Sequence, residues 1–400
     1  MLPIDLPPIE HGALLVGPDG RIEVVGPDAH VPRPSHLPSL EFANSVLLPG
    51  LINTHTHLEL TGLEGQVSEP EFPAWITHLR QIKNTRDPAD YLVAARQGLQ
   101  DCYAAGVTTV ADTGDSGAVI QALAEADGSG IAYQEVFGPD PAQLTESLSG
   151  LQARVEERSS WATGRVRLGV SPHAPYSVSG PLFQAVAAWA ATERLPLAVH
   201  VAESPAETQF VQAGAGPFAQ AWVARGFALP PSRGRTPVEW LDQHGVLTER
   251  TLCIHAVQVT SQDVDRLATS DAAVAHCPLS NQAHGHGAAP LQAFLAAGVR
   301  VGLGTDSVVS VGRLDLLAEA RFAQKRAGLT AEQAVELCTL RAARALGLDD
   351  TGSLRPGKWA DCTVIRVPPG EGTPSDRLLA SSPDHVLLTC VAGREVYRAS

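Results

Sequence analysis

Residues 51–60 read LINTHTHLEL and follow directly on Leu48, Pro49 and Gly50. The run opens like a buried apolar strand, yet it carries His55, His57 and Glu59 at alternate positions. Side chains at i and i+2 of an extended strand share a face, so the two imidazoles are presented together, as a pair able to hold a metal ion. Two histidines on one strand are not yet a site. The other ligands have to come from elsewhere in the chain.

Outward from this stretch the same kind of apolar, β-branched run recurs. The eight runs are VLLPGLINTHTH (46–57), GVTTVADTG (106–114), IAYQEVFG (131–138), VRLGVSPHAP (166–175), PLAVHVAES (196–204), TLCIHAV (251–257), AAVAHCP (272–278) and VRVGLGTDS (299–307). Between them lie stretches rich in Ala, Leu and Gln at helical spacing, at 94–105, 117–126, 181–192 and 291–297. Strand and helix in alternation mark parallel βα units, and eight such units close into a (β/α)8 barrel. Gly106 and Gly298 each end an alanine-rich helix just before a strand, where a sharp turn is required. The flanks differ in character. ALLVGPDGRIEVVG near the start, and GSLRPGKWADCTVIRV and VLLTCVAGREVY near the end, read as short strands. The expected architecture is therefore α/β. It is a distorted TIM barrel over 49–352, with a small β-sandwich domain assembled from 1–48 and 353–400.

The 400 residues carry 43 acidic and 29 basic side chains, a formal net charge of -14, and no cluster of Lys and Arg. That balance argues against nucleic acid or an anionic membrane as partner. Six cysteines are scattered without CxxC spacing, which suggests neither a disulfide framework nor a thiolate zinc site. The start, MLPIDLPPIEHGALL, has no basic segment followed by an apolar one, and no run has the length of a membrane span. A cytoplasmic protein is expected.

A parallel barrel builds its site from the C-terminal ends of its strands. His55 and His57 end the first run, His173 the fourth, His200 and Glu203 the fifth, His255 the sixth, His276 the seventh and Asp306 the eighth. Each alone has an ordinary explanation: a core histidine at 200, a helix cap at Asp306, backbone partners for His276. Their joint arrival at one mouth does not. A catalytic divalent ion takes three or four nitrogen and oxygen ligands and keeps a position for water. His55, His57, His200 and Asp306 fill that set. The ligand types fit one Zn²⁺ best and leave Fe²⁺ or Mn²⁺ open. Water on such an ion ionises near neutrality. Glu203, just past the fifth-strand ligand, is the expected general acid and base, with His255 bonded to the attacking water and Asp306 taking its other proton.

LPGLINTHTH, SPHAPYSVS, LAVHVAES, CIHAV, AHCPLSN and GLGTDS, in that order, resemble the amidohydrolase superfamily. More narrowly they are similar to its mononuclear deaminase and chlorohydrolase branch, and the likeness spans nearly the whole chain. The resemblance implies hydrolysis of an amino or chloro group on a nitrogen heterocycle, with ammonia as the leaving group here. It implies the same four metal ligands, Glu203 protonating the ring nitrogen beside the attacked carbon, and His255 positioning the nucleophile. Relatives with two metals carry a lysine at the end of the fourth strand. SPHAP stands there instead, so one metal is expected. Members are often dimers or larger, which makes a homo-oligomer the expectation.

For the substrate, a nitrogen heterocycle or nucleoside, His173 resembles the purine-contacting histidine of adenosine-type deaminases. Phe72 and Trp75, in the loop after the first strand, are placed to cover a flat ring. THLELTGL looks more like the aminofutalosine deaminases of menaquinone synthesis than like the adenosylhomocysteine and methylthioadenosine deaminases. The latter have a Pro-Glu pair after the first strand and arginines near the end of the third, whereas this chain has THLRQIKNTRDPAD and FGPDP. A substrate carboxylate would call on Arg80, Lys83 or Arg86. Asn281 and Glu59 are further candidates for substrate contact, Glu59 alternatively bracing the ligands. After AHCPLSN the branch continues with Lys and Leu, but this chain gives QAHGHG, where His284 and His286 either contact substrate or are loop residues on a glycine-rich turn, the latter being favoured. A dinucleotide fold is excluded because GLGTDS ends in Ser307 rather than glycine, and a serine hydrolase lacks its G-x-S-x-G elbow. A binding protein on a degenerate barrel would be expected to have lost ligands that are all present.

Overall fold

The computed structural model describes residues 1–229 and 234–399. All eight expected runs form strands of one parallel sheet: Leu51–Thr56, Val107–Gly114, Gly130–Val136, Val166–Pro172, Leu197–Val201, Thr251–His255, Ala273–His276 and Arg300–Leu303. Each pairs with the next in chain order. Their apolar residues sort by the two-residue period of a strand. Ile131 and Tyr133, Leu252 and Ile254, and Ala273 and Ala275 join one buried cluster with Ala342 and Ala343 of the helix Leu340–Ala345. The alternate residues, such as Val199, Cys253 and Val274, belong to the larger cluster beneath the surrounding helices.

The first and last strands meet at a seam that holds, among the described residues, the isolated bridge Thr56 to Asp306 together with side-chain and backbone hydrogen bonds. Asn53 donates from Nδ2 to Thr305 Oγ1 at 2.8 Å, and its Oδ1 accepts from the Thr305 amide at 3.1 Å. The amide of Asp306 donates to the carbonyl of His55 at 3.1 Å. Gly304 makes this approach possible, since a Cβ there would lie 2.7 Å from the His55 nitrogen.

The four expected helices are present as Pro88–Ala104, Ala118–Glu125, Gly180–Glu193 and Leu291–Ala296. The segment after the first strand, read as loop, instead contains the helix Phe72–Lys83, with Pro73 in its first turn. In the terminal regions Ser45–Pro49, Cys362–Arg366, Val386–Val391 and Arg394–Arg398 form one antiparallel sheet. The hairpin Gly12–Val16 and Ile22–Pro27 does not add to it. It stands as a second two-stranded sheet, with an isolated bridge from Arg21 to Trp359, so the strands from the two ends make two small sheets. All six cysteines are buried and free. No described helix is long and apolar enough to cross a membrane.

Candidate active site

Strand ends deliver the polar residues to one mouth, and several do so through unusual backbone. Ala202, His255, Ala256 and Asp306 hold φ values of +52, +72, +47 and +60°, in the left-handed region that non-glycine residues seldom adopt. Strain of this kind persists where the surroundings over-determine it, and here it turns the chain at the ends of the fifth, sixth and eighth strands.

Ligand-type nitrogens of His55, His57 and His200 lie within 4.8 Å of one another. Oδ1 of Asp306 is 3.5 Å from Nε2 of both His55 and His57. Two ligands about 2.1 Å from a tetrahedral ion stand roughly 3.4 Å apart, so this spacing suits a shared cation. Hydrogen bonding fixes which ring nitrogen faces inward. Nδ1 of His57 donates to the carbonyl of Thr113 at 2.8 Å, Nδ1 of His200 approaches the carbonyl of His173 at 3.3 Å, and Nδ1 of His255 donates to Oδ1 of Asn281 at 2.9 Å. With Nδ1 carrying the hydrogen, each Nε2 presents its lone pair to the mouth. His55 is different: it is 1% exposed and, among the described residues, neither ring nitrogen has a hydrogen-bond partner. A buried orphan of that kind next to a carboxylate and two more imidazoles has the chemistry of a metal ligand.

Electrostatics agree. Burial, reinforced by His55, pushes His57 down to about 3, and burial with the neighbouring imidazoles holds His200 well below the usual histidine range. Neutral imidazole is the ligand form. Burial alone would raise Asp306, but its contact with His55 and the imidazoles of His57 and His255 outweigh it, so the carboxyl is held well below its ordinary value. Its Oδ2 also accepts from Ser280 Oγ at 2.5 Å. Glu203 shows the opposite behaviour. Burial, then Asp306 and Glu207, push it well above the carboxylate range, and its Oε1 is 3.5 Å from Nε2 of His255. Glu207 fixes the turn beneath it by accepting from the amides of Ala202 and Glu203 at 2.8 and 2.9 Å.

The remaining expected residues divide. His173 lies against His200, ring centroids 4.9 Å apart, with Nδ1 2.7 Å from Ser177 Oγ. Asn281 is committed through Oδ1 to His255, and its Nδ2 is buried without a partner. Phe72 and Trp75 stack on one another and pack against the His284 ring. Glu59 is placed away from an open role. Its carboxylate accepts from Lys83 Nζ at 2.8 Å and from the hydroxyl of Ser116, so it ties the first strand's exit to the helix Phe72–Lys83. Of the three cations considered for a substrate carboxylate, Lys83 is taken by Glu59 and Asp115, and Arg86 donates to the carbonyls of Glu59 and Thr61. Arg80 is exposed, 5.7 Å from the centre of the Phe137 ring. His276 is buried with Nδ1 unpartnered and is pushed by burial to about 4.

One residue went unrecognised in the sequence. Glu135 ends the third strand, is buried, has Oε1 without a partner, and forms a second close donor group with His173 and His200. The strand-end criterion that found the histidines would have found it. His286, for which a loop role is favoured over substrate contact in the sequence, lies on the glycine-rich turn but is buried, with Nδ1 3.6 Å from Oε1 of Glu203.

Residues 46–396 match the Amidohydrolase family. This chain is an amidohydrolase. A 5-methylthioadenosine/S-adenosylhomocysteine deaminase of Nitratidesulfovibrio vulgaris is similar to this amidohydrolase at 31% identity, over 98% of this chain and 88% of the relative. An aminodeoxyfutalosine deaminase of Deinococcus radiodurans is 36% identical over 71% of this chain and 69% of its own length. Among solved structures, an adenosine deaminase from Xanthomonas campestris with bound zinc superposes at a TM-score of 0.83 and 24% identity, covering 97% of this chain and 88% of that one. That likeness bears on the fold. Family membership makes the protein a hydrolytic enzyme.

Proposed function

We propose that this amidohydrolase is a deaminase that replaces the exocyclic amino group of a purine-nucleoside-like substrate by oxygen, with aminodeoxyfutalosine the best candidate. One observation carries the reading: a buried Glu203, pushed by burial well above the carboxylate range, stands beside a cradle of three histidines and an aspartate held well below it. His55, His57, His200 and Asp306 would hold one divalent cation, with zinc favoured by the donor set and by the zinc of the similar adenosine deaminase. When bound, such an ion supplies a water molecule acidified to a pKa of about 7.

The residues then divide the proton work. As the water oxygen adds to the carbon bearing the amine, Asp306 accepts one proton and Glu203 gives its own to the adjacent ring nitrogen. The C–N bond breaks as Asp306 passes its proton to the departing amine, which leaves as ammonia. The hydroxyl left on the carbon returns its proton to Glu203 and becomes the carbonyl of the product. Nε2 of His255, 3.5 Å from Glu203, keeps the water in line between the two carboxyls.

Among nucleosides, aminodeoxyfutalosine is favoured by the 36% identity to the Deinococcus enzyme and by the segment Phe137–Asp140 after the third strand, which holds no arginine. Adenosylhomocysteine or methylthioadenosine stands as the second reading, on the relative that aligns with 98% of the chain. Ammonia release from aminodeoxyfutalosine, adenosylhomocysteine, methylthioadenosine, adenosine, guanine and cytosine decides among them. Turnover of free bases alone would end the nucleoside reading.

A further inference from the structure

The four-stranded sheet from the chain's two ends sets a pair of cysteines face to face. In the antiparallel pairing of Cys362–Arg366 with Val386–Val391, Cys362 stands across from Cys390, Thr363 across from Thr389 and Val364 across from Leu388. Residues so opposed have Cα atoms about 4.5 or 5.5 Å apart, according to their place in the ladder. A disulfide accepts Cα separations of about 4.4–6.8 Å, so either place suits one. The two thiols share a face of the sheet, since both join Val364 and Leu388 in the buried cluster that also holds Ile22 of the N-terminal hairpin. The neighbouring Cys362 thiol lowers the pKa of Cys390, and the same contact raises that of Cys362, so the pair has a distinct nucleophile and a distinct resolving thiol. In the ladders of the described residues the other four cysteines have no such partner. Cys253 lies beside Val199 and Val274, while Cys102, Cys277 and Cys338 fall outside the strands.

Neither residue of the pair is wholly sealed. Cys362 and Cys390 are 6% and 8% exposed, and Cys390 lies across from Glu395 of the edge strand Arg394–Arg398. That opening suits a small oxidant rather than a bulky one. On its other side Cys362 pairs with Pro49, and the amide of Gly50 donates to the carbonyl of Asp361 at 2.9 Å. The strand Leu51–Thr56, which carries His55, begins at the next residue. A bond between the sulfurs would therefore fix the sheet from which the first barrel strand departs, and it would close the chain from 362 to 390 into a loop.

We infer that Cys362 and Cys390 are a redox-active dithiol that hydrogen peroxide converts to a reversible cross-strand disulfide, stapling the terminal sheet. The Cys390 thiolate attacks one peroxide oxygen, the O–O bond breaks, and hydroxide leaves from the new sulfenic acid. The Cys362 sulfur then attacks the Cys390 sulfur. The S–S bond forms as the S–O bond breaks, and the hydroxyl departs with the Cys362 proton as water. Two thiols have given up two electrons and two protons, and the peroxide has become two waters. The inference stands independently of the deaminase reading.

The test titrates the reduced, metal-loaded protein with hydrogen peroxide, removes the excess with catalase, and alkylates the remaining thiols after unfolding. Wild type should lose two of its six free thiols. A peptide map should join the segment of Cys362 to that of Cys390, and dithiothreitol should restore both thiols. Closing a loop of this size should raise the melting temperature by about 4 °C in a chain of this length. Cys362→Val and Cys390→Val, which keep an apolar strand residue at each place, should form no bridge and show no rise. Retention of all six thiols, a bridge to any other cysteine, or conversion of Cys390 to a sulfinic acid without a bridge would overturn the inference, as would a bridge that leaves the melting temperature unchanged. If the valine variants fail to fold, the wild-type map and melting curve decide alone.

Discussion

Nε2 of His255 and Oε1 of Glu203 stand 3.5 Å apart, with burial pushing the carboxyl well above the usual carboxylate range. A protonated acid at this place can donate, and an amide of the same shape can donate too but cannot take the proton back. Glu203→Gln is therefore expected to lose about 10²–10⁴-fold in turnover, the usual worth of a positioned acid and base. It should keep its metal, because Glu203 is outside the cradle. Ammonia release and elemental analysis on the same preparation check both halves. Full activity in the variant would remove the acid–base role.

His200 belongs to two close groups of donors, one with His55 and His57 and one with Glu135 and His173. If the first holds the cation, His55→Ala and His200→Ala purify without metal while His173→Ala retains a full complement. Retention by His55→Ala together with loss by His173→Ala would relocate the ion to the Glu135 side. Metal content per chain, measured at equal protein concentration, separates the two.

Much of this site was legible because a parallel barrel confines its chemistry to strand ends and histidine is uncommon there. His55, His57, His200 and Asp306 could be placed together before any coordinates. Glu135 satisfies the same positional rule, but a single carboxylate within an apolar strand carries no spacing signal of the kind that the paired histidines do. The helix Phe72–Lys83 was also readable in principle. Phe72, Trp75, Ile76 and Leu79 recur at helical spacing, obscured by the polar side chains between them. What no local pattern contains is the seam, where Asn53 and Thr305 meet across 252 positions of chain. The burial of His286 is of the same kind, since it depends on Phe72 arriving from a distant segment.

Lys83 bonds two carboxylates, Glu59 at 2.8 Å and Asp115 at 3.0 Å. Burial opposes its charge, yet those two partners outweigh the penalty and raise its pKa. Lys83→Met would leave the buried carboxylate of Glu59 without its cation. Removing one partner of a buried pair costs about 3–5 kcal/mol, and the partial exposure of Lys83 sets the expectation near 3 kcal/mol. Denaturant unfolding of the metal-loaded protein measures it. Paired with Glu59→Gln, the loss should shrink, because the uncompensated charge is gone. An unchanged loss in the double variant would show that packing of the lysine stem, not its charge, was responsible.

Burial pushes Glu135 up to about 8, against the opposing pull of Lys83. The unfolded chain ionises this side chain near pH 4.5, so between pH 4.5 and 8 the folded state holds a proton that the unfolded state has released. Stability therefore falls as pH rises through that window and levels off above pH 8. Glu135→Gln has no such titration. The stability gained by the variant over wild type should grow between pH 6 and pH 8.5, by about 1–2 kcal/mol after allowance for local relaxation. Comparing the two proteins at each pH cancels what the metal ligands contribute to both. A gap that stays constant across that range would mean Glu135 is ionised throughout, with Lys83 as its effective partner.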